Sequence, residues 1–207
     1  MRTNKTGIAL LSGGLDSFIS LDLAVKEMDV KIALTFNYGQ IAFEDEFAAS
    51  SAIAARYNVE HKVIELPFLA QMLDLNEVWV PNRNGLFLNI AGCFADKYGY
   101  DYVIFGANAE EGLEFSDNCA EFVEIAENFF CVSTLKKPEI YAPLRHLNKT
   151  EIINLGIKNG VDFSLSKSCY SNEKAAGKKH CGFCKSCICL KNALEKCDNK
   201  DLIKQLF

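Results

Sequence analysis

Proline is scarce in this sequence, with four in 207 residues, and there is no low-complexity tract and no internal repeat. That excludes a disordered chain and a repeat array, and favours one compact core with a small appendage. Positive charge is not in surplus either. Lys and Arg total 22 against 27 Asp and Glu, a formal net charge of -5, so stable binding to nucleic-acid phosphates by the whole molecule is not expected. Long apolar runs are missing. The stretch from Gly7 to Leu11 is too short for a signal-peptide core or a membrane span, and a cytoplasmic protein is expected. Histidine is rare: His61 and His146 stand alone and read as structural, while His180 beside Cys181 reads as a supporting neighbour of a metal site rather than a ligand.

What the chain does contain is a high apolar fraction, 49%, arranged with a rhythm. Branched apolar runs at 7–11, 30–36, 61–66, 102–105 and 139–141 alternate with segments of helical period at 18–26, 43–57, 86–98, 122–130 and 149–159. Such alternation predicts an α/β fold, a doubly wound parallel sheet with helices on both faces. Ligands of these sheets collect beyond the carboxyl ends of the strands. The loops to read are therefore "SGGLDS", "NYGQ", "VPNRNG" and "GANAEEGLEFSDN". Past Ser164 the rhythm breaks into a stretch that reads as too short and too polar for another core layer. Residues 1–164 are accordingly assigned to the α/β domain and 165–207 to a C-terminal segment packed on it.

The loop after the first strand is the most informative. Ser12, Gly13 and Gly14 sit where a strand hands over to a helix, so backbone N–H groups and the helix dipole converge on one spot suited to an anion. The usual mononucleotide loop supplies a lysine just before its helix. Here Leu15, Asp16 and Ser17 stand in its place, which predicts a different cleavage of the nucleotide. The competing reading is a plain glycine turn with Asp16 as a helix-capping residue.

The nine cysteines do not suit a disulfide scaffold in a chain read as cytosolic. Cys93, Cys119, Cys131 and Cys197 are scattered and read as small buried hydrophobes. Cys181, Cys184 and Cys187 are spaced by two residues, with Cys169 upstream; four sulfurs in this pattern suit a closed structural zinc. An iron–sulfur cluster, a redox CxxC, or Cys189 as fourth ligand in place of Cys169 remain the alternatives.

Glycine loop and cysteine cluster together carry a resemblance. "SGGLDS" after a buried strand resembles the loop of the ATP pyrophosphatase (PP-loop) families. From end to end the chain resembles the 7-cyano-7-deazaguanine synthase (QueC) family, through "LLSGGLDS", "FNYGQ", "VPNRNGLFLNIA", "FGANAEE", "FSDN", "APLRHLNKTEIINLG", "SCY" and "HCGFCKSC". It departs at Ile41 and Ala42, where arginine and histidine are common, and at Leu190, where an arginine is usual. The resemblance implies that Ser12, Gly13, Gly14 and Ser17 hold phosphate, that Asp16 helps to hold Mg²⁺, and that Asp16 and Ser17 are the catalytic pair. Leu11, Leu15, Phe18, Ile19, Ser20 and Leu21 complete the implied ATP-binding segment. It further implies a homodimer and an ATP-dependent ligase acting on 7-carboxy-7-deazaguanine and ammonia, forming AMP and pyrophosphate, and supplying queuosine or archaeosine synthesis.

Arg83 and Asn84 are the candidates to hold the acid or the purine edge, and Asp117 to pair with its guanine-like face. The competing assignments are a surface ion pair, a turn residue and a helix cap. The acid pairs Glu44/Glu46 and Glu110/Glu111 read as solvated faces. Rival functions are a paralogue that joins the acid to another amine, a tRNA thiolase using Cys119 or Cys131, and a non-catalytic RNA-binding zinc module. The last rests on six lysines against two glutamates between Ser171 and Lys196, with Phe183 as a thin stacking surface.

Overall fold

A computed structural model describes residues 3–73, 79–171 and 179–207. Five strands, β1 (Thr6–Leu10), β2 (Asp29–Asn37), β3 (Glu60–Glu65), β4 (Tyr102–Ile104) and β5 (Glu139–Tyr141), form one sheet in the order β3-β2-β1-β4-β5. Every pairing is parallel. Between and after them run α1 (Leu15–Glu27), α2 (Phe43–Arg56), α3 (Arg83–Tyr98), α4 (Ala120–Ser133), α5 (Lys149–Lys158), α6 (Lys185–Lys196) and α7 (Lys200–Leu206).

Side chains alternate across the strands with a period of two, and the sheet therefore separates two cores. Ile8, Leu10, Ile32, Leu34, Val103 and Ile140 face one core with α3 and α4. Ala9, Leu11, Ala33 and Ile104 face the other, joined by Val30 because a bulge between β1 and β2 skips Lys31, and Phe18, Ile19 and Leu21 of α1 and Ile152 and Ile153 of α5 fill the space. Because β1 is buried on both faces, its sequence reads as a continuous apolar run rather than an alternating one. Phe18, wholly buried, is the most consequential single core residue next to the glycine loop; truncation to alanine should cost about 3–5 kcal/mol.

The C-terminal segment contributes more core than its polarity suggests. Leu190, Ala193 and Leu194 of α6 and Leu206 of α7 are buried in the same cluster as Phe18 and Ile152, which corrects the expectation that nothing past Ser164 adds a core layer. A narrow stripe at 187, 190, 193 and 194 suffices, since only one face of a helix needs to be apolar. None of the four scattered cysteines is buried as expected, Cys119 and Cys197 being half-buried. Cys93 and Cys131 are exposed, and Cys119 is the N-cap of α4, its sulfur accepting from the Phe122 N–H at 3.3 Å.

Order reverses at β1 and β4, the strands that begin the two halves of the sheet. Crevices form at such a point because the chains leaving the two strands diverge. The loops following β1 and β4 meet there.

Candidate active site

The loop after β1 is built by its own hydrogen bonds. The Ser17 hydroxyl donates to Gly14 O at 3.0 Å, and the Gly14 N–H donates to Ser12 Oγ at 3.2 Å. The two hydroxyls lie 3.1 Å apart; with its proton already used, Ser17 accepts and Ser12 donates. Gly13 has φ +81°, and a Cβ there would stand 2.7 Å from Glu46 O, so only glycine fits. Gly14 is the N-cap of α1 and makes no side-chain capping bond. The first turn of α1 therefore presents its N–H groups to the crevice, where an anion is the natural partner.

Asp16 and Ser17 both line the crevice. Asp16 Oδ2 accepts from Lys149 Nζ at 2.6 Å and Asn108 Nδ2 at 3.2 Å. Lys149 Nζ also reaches Glu111 Oε1 at 3.2 Å, and Asn118 Nδ2 donates to Glu111 Oε2 at 2.7 Å. Burial, helped by the Glu111 charge, pushes Asp16 up to about 6 against the pull of Lys149. Burial also opposes the charge on Glu111, but Lys149 overcomes it and holds that carboxyl below its ordinary value. The ammonium of Lys149 is disfavoured by burial yet held protonated by the two carboxylates. Asp16 Oδ1 is buried and has no hydrogen-bond partner among the described residues. An orphaned carboxylate oxygen beside an anion loop fits a hard divalent cation, whose ligands are oxygens.

Sequence reasoning missed Lys149 and misjudged three acids. Glu111 and Glu46 line the crevice, and Glu110 Oε2 accepts the Lys149 N–H at 3.0 Å; none of the three is simply a solvated face. One signal was available. Lys149 is the first residue of α5, set by the Asn148–Glu151 capping box, and a cation at a helix N-terminus opposes the dipole. Such a misplaced charge points to a partner elsewhere.

Across the crevice lies a second group of polar residues. The Arg83 guanidinium donates to Tyr38 OH at 3.0 Å. Gln40 braces the turn, donating to Phe36 O and to Glu46 Oε2, both at 2.9 Å, and accepting from the Tyr38 N–H. Phe36 stacks on Phe87 with centroids 4.0 Å apart and planes 3° from parallel. Burial pushes both the Tyr38 phenol and the Glu46 carboxyl up. Arg83, Asn84, Glu46 and Tyr170 share this crevice with Ser12, Gly14, Asp16 and Ser17. Asp117 Oδ2 accepts from the Asn84 N–H at 3.2 Å and its carbonyl from Asn84 Nδ2 at 3.0 Å, which fixes the start of α3.

Cys169, Cys181, Cys184 and Cys187 bring their sulfurs within 4.8 Å of one another. Neither Cys189 nor His180 belongs to that group. Zn–S bonds of about 2.3 Å in a tetrahedron imply S···S separations of about 3.8 Å, and Cys181 Sγ lies 3.8 Å from Cys187 Sγ. Burial opposes thiolate formation at all three of Cys169, Cys181 and Cys187. At Cys181 the N–H groups of Cys184 and Phe183 prevail and bring the thiol down to about 7, whereas Cys169 and Cys187 are raised. The donor set fits a tetrahedral metal ion, which would draw the raised thiols of Cys169 and Cys187 into the thiolate form.

A parallel sheet in this order, with an anion loop at its switch point and a four-cysteine cluster beside it, defines a PP-loop type of nucleotide-binding α/β protein. Solved structures agree at the level of fold. NH3-dependent NAD synthetase from Campylobacter jejuni superposes with TM-score 0.51 over 99% of this chain and 80% of that one, at 18% identity. The U34-tRNA thiolase NcsA from Methanococcus maripaludis, with its [4Fe-4S] cluster, gives 0.54 over 98% and 67%, at 17% identity.

Within that class the chain belongs to the family described as queuosine biosynthesis protein QueC, which it matches over residues 6–76 and 72–198. Relatives named 7-cyano-7-deazaguanine synthase include one from Pelotomaculum thermopropionicum, 43% identical over 87% of this chain and 92% of that protein. Another, from Carboxydothermus hydrogenoformans, is 40% identical over 91% and 98%. Among the described residues, no helix is long and apolar enough to cross a membrane.

Proposed function

We propose that this chain makes 7-cyano-7-deazaguanine from 7-carboxy-7-deazaguanine, ammonia and ATP. The observation that carries the proposal is one crevice holding both an anion loop with its buried Asp16–Lys149–Glu111 group and, opposite, an aromatic and polar wall of Phe36, Phe87, Tyr38, Arg83 and Glu46. A triphosphate and a planar acid need these two halves at bonding distance from each other. Family membership supplies the identity of the acid.

Carboxylates are poor electrophiles, so the oxygen must first be given a leaving group. One carboxylate oxygen attacks the α-phosphorus of ATP, the bond to the β-phosphate oxygen breaks, and pyrophosphate departs. Ammonia then attacks the acyl carbon and AMP leaves with the C–O bond pair, giving the amide. A second ATP activates the amide oxygen in the same way; loss of AMP and the amide protons yields the nitrile. In this scheme the first free N–H groups of α1 hold the departing pyrophosphate, and Ser12 and Ser17 turn their hydroxyl protons to it from the bonds they make in the free chain. Lys149 offsets charge that grows on it, an effect that fixed cations exert strongly in a dry site. Arg83 and Asn84 orient the acid, Asp117 holds Asn84 in place, and the stacked pair Phe36–Phe87 gives the bases a flat wall.

A Mg²⁺ ion on Asp16 supplies positive charge against the triphosphate, and a zinc ion on the four cysteines supplies a cross-link between the segment's turns. A cytoplasmic homodimer is the proposed setting. The test is incubation with the acid, ammonium, Mg²⁺ and ATP, followed by mass spectrometry of the base. Appearance of the nitrile supports the function; an unchanged acid in the presence of ATP consumption contradicts it.

A further inference from the structure

The segment that carries the sulfur cluster also touches the anion loop directly. The Lys167 N–H donates to Gly13 O at 2.8 Å. The Leu15 N–H, first of the helical donors of α1, donates to Ser168 Oγ at 3.3 Å. Ser168 in turn is fixed from behind: its N–H donates to Nε2 of His180 at 3.2 Å, and Nδ1 of the same ring lies 3.2 Å from Leu206 O. Since Nε2 accepts, Nδ1 carries the proton and donates to that carbonyl. His180 is almost wholly buried. A continuous path therefore runs from cluster residues Cys169 and Cys181, which adjoin Ser168 and His180 in sequence, to the first donor of α1.

Ser168 lines the crevice beside Gly14 and Ser17. In accepting from Leu15 it uses a lone pair and keeps its hydroxyl proton to donate. A hydroxyl poised at the mouth of an anion loop, next to the same N–H groups, has the chemistry of a phosphate ligand.

We infer that Ser168 is a phosphate-binding residue of the nucleotide site, presented to the loop by the cysteine-bearing segment, and that His180 is the positioning residue that holds it there. This rests on the reading of the loop as an ATP site. When triphosphate arrives, Ser168 donates to a phosphoryl oxygen and completes the cradle made by Ser12, Gly14 and Ser17. The cysteine cluster then sets nucleotide affinity without touching the nucleotide.

The experiment compares Ser168→Ala and Ser168→Thr with the unaltered chain, measuring ATP dissociation constant by equilibrium dialysis, KM for ATP and for the acid, and metal content per chain. Loss of one hydrogen bond to a charged group predicts ATP binding weaker by about tenfold in the alanine variant. KM for the acid should stay put, metal content should be undiminished, and the threonine hydroxyl should restore most of the affinity. Unaltered ATP affinity in Ser168→Ala, or affinity lost only in step with metal, would overturn the inference. Failure of the unaltered chain to bind ATP would instead overturn the nucleotide reading itself. Should the alanine variant not fold, hydrogen exchange on the unaltered chain decides: ATP should slow exchange in residues 164–171 as well as 11–18, and slowing confined to 11–18 contradicts the inference.

Discussion

Two turns in this protein share one backbone design. Gly13 (φ +81°) followed by the extended N-cap Gly14 leads into α1, and Gly182 (φ +83°) followed by Phe183 and the extended N-cap Cys184 leads into α6. Neither N-cap makes a side-chain capping bond. What differs is what stands before the exposed N–H groups. At the second turn the sulfur of Cys181 accepts from the Cys184 N–H at 3.3 Å, so the anion is part of the chain. At the first, the Leu15 N–H meets Ser168 Oγ, the N–H groups after it face a crevice, and the anion must come from outside. A left-handed glycine shortly before an extended N-cap thus serves a structural centre in one place and a reagent site in the other.

The surroundings differ as well. Gly13 is pressed against α2, whereas a Cβ on Gly182 would meet nothing nearer than Phe207 Cδ1 at 3.8 Å. The reagent site is braced by the sheet and two cores, and the sulfur turn by its own sulfurs and the ends of α6 and α7.

The largest effect should come from Asp16→Asn, which removes the carboxylate proposed to hold the cation. ATP consumption should fall by at least about a thousandfold, given what charge stabilisation supplies in such sites. The same change should stabilise the free protein. Burial raises Asp16 to about 6 in the folded chain, so folding retains that proton, and stability is lost as pH rises through 6. Asparagine avoids the loss. Above pH 6 the variant should gain on the order of 1–3 kcal/mol in denaturant titration, a gain that disappears below pH 4. A variant less stable at pH 8 than the parent would contradict the assignment.

Next in size, Lys149→Met should lower turnover by about a hundredfold or more, since it leaves Asp16 and Glu111 buried side by side without their cation. Steady-state kinetics would register this, and a fall of less than about threefold would remove Lys149 from the site. Cys184→Ser should follow, abolishing stoichiometric metal and lowering Tm by at least about 5 °C. Cys189→Ser should retain the metal, and elemental analysis separates the two.

The paired glycine substitutions sharpen the comparison most finely. Gly13→Ala meets both a left-handed backbone and a close approach to Glu46 O, and should cost roughly 3 kcal/mol with loss of nucleotide binding. Gly182→Ala meets only the backbone term and should cost about 1 kcal/mol with metal retained. Equal costs would mean that the two turns are not distinguished by their surroundings.

The sheet, the glycine loop and the sulfur set are legible in the sequence because each is local: a run of branched residues, a strand–glycine–helix junction, cysteines two apart. Lys149 is 133 positions from Asp16, and no periodicity connects them. Glu46 and Glu111 resemble ordinary helix-surface acids until the fold turns α2 and the loop after β4 towards the crevice. The buried stripe of α6 is hidden by its lysines for the converse reason, since mean polarity says little about one face. Ser168 stands beside a cysteine and draws no notice, although its partner is the first donor of the phosphate loop.

The account turns on where the triphosphate is cut. Phosphorus NMR of the spent nucleotide after incubation with 7-carboxy-7-deazaguanine, ammonium and Mg²⁺ measures this directly. An anion loop that grips the outer phosphates predicts AMP with pyrophosphate; ADP with inorganic phosphate would contradict it.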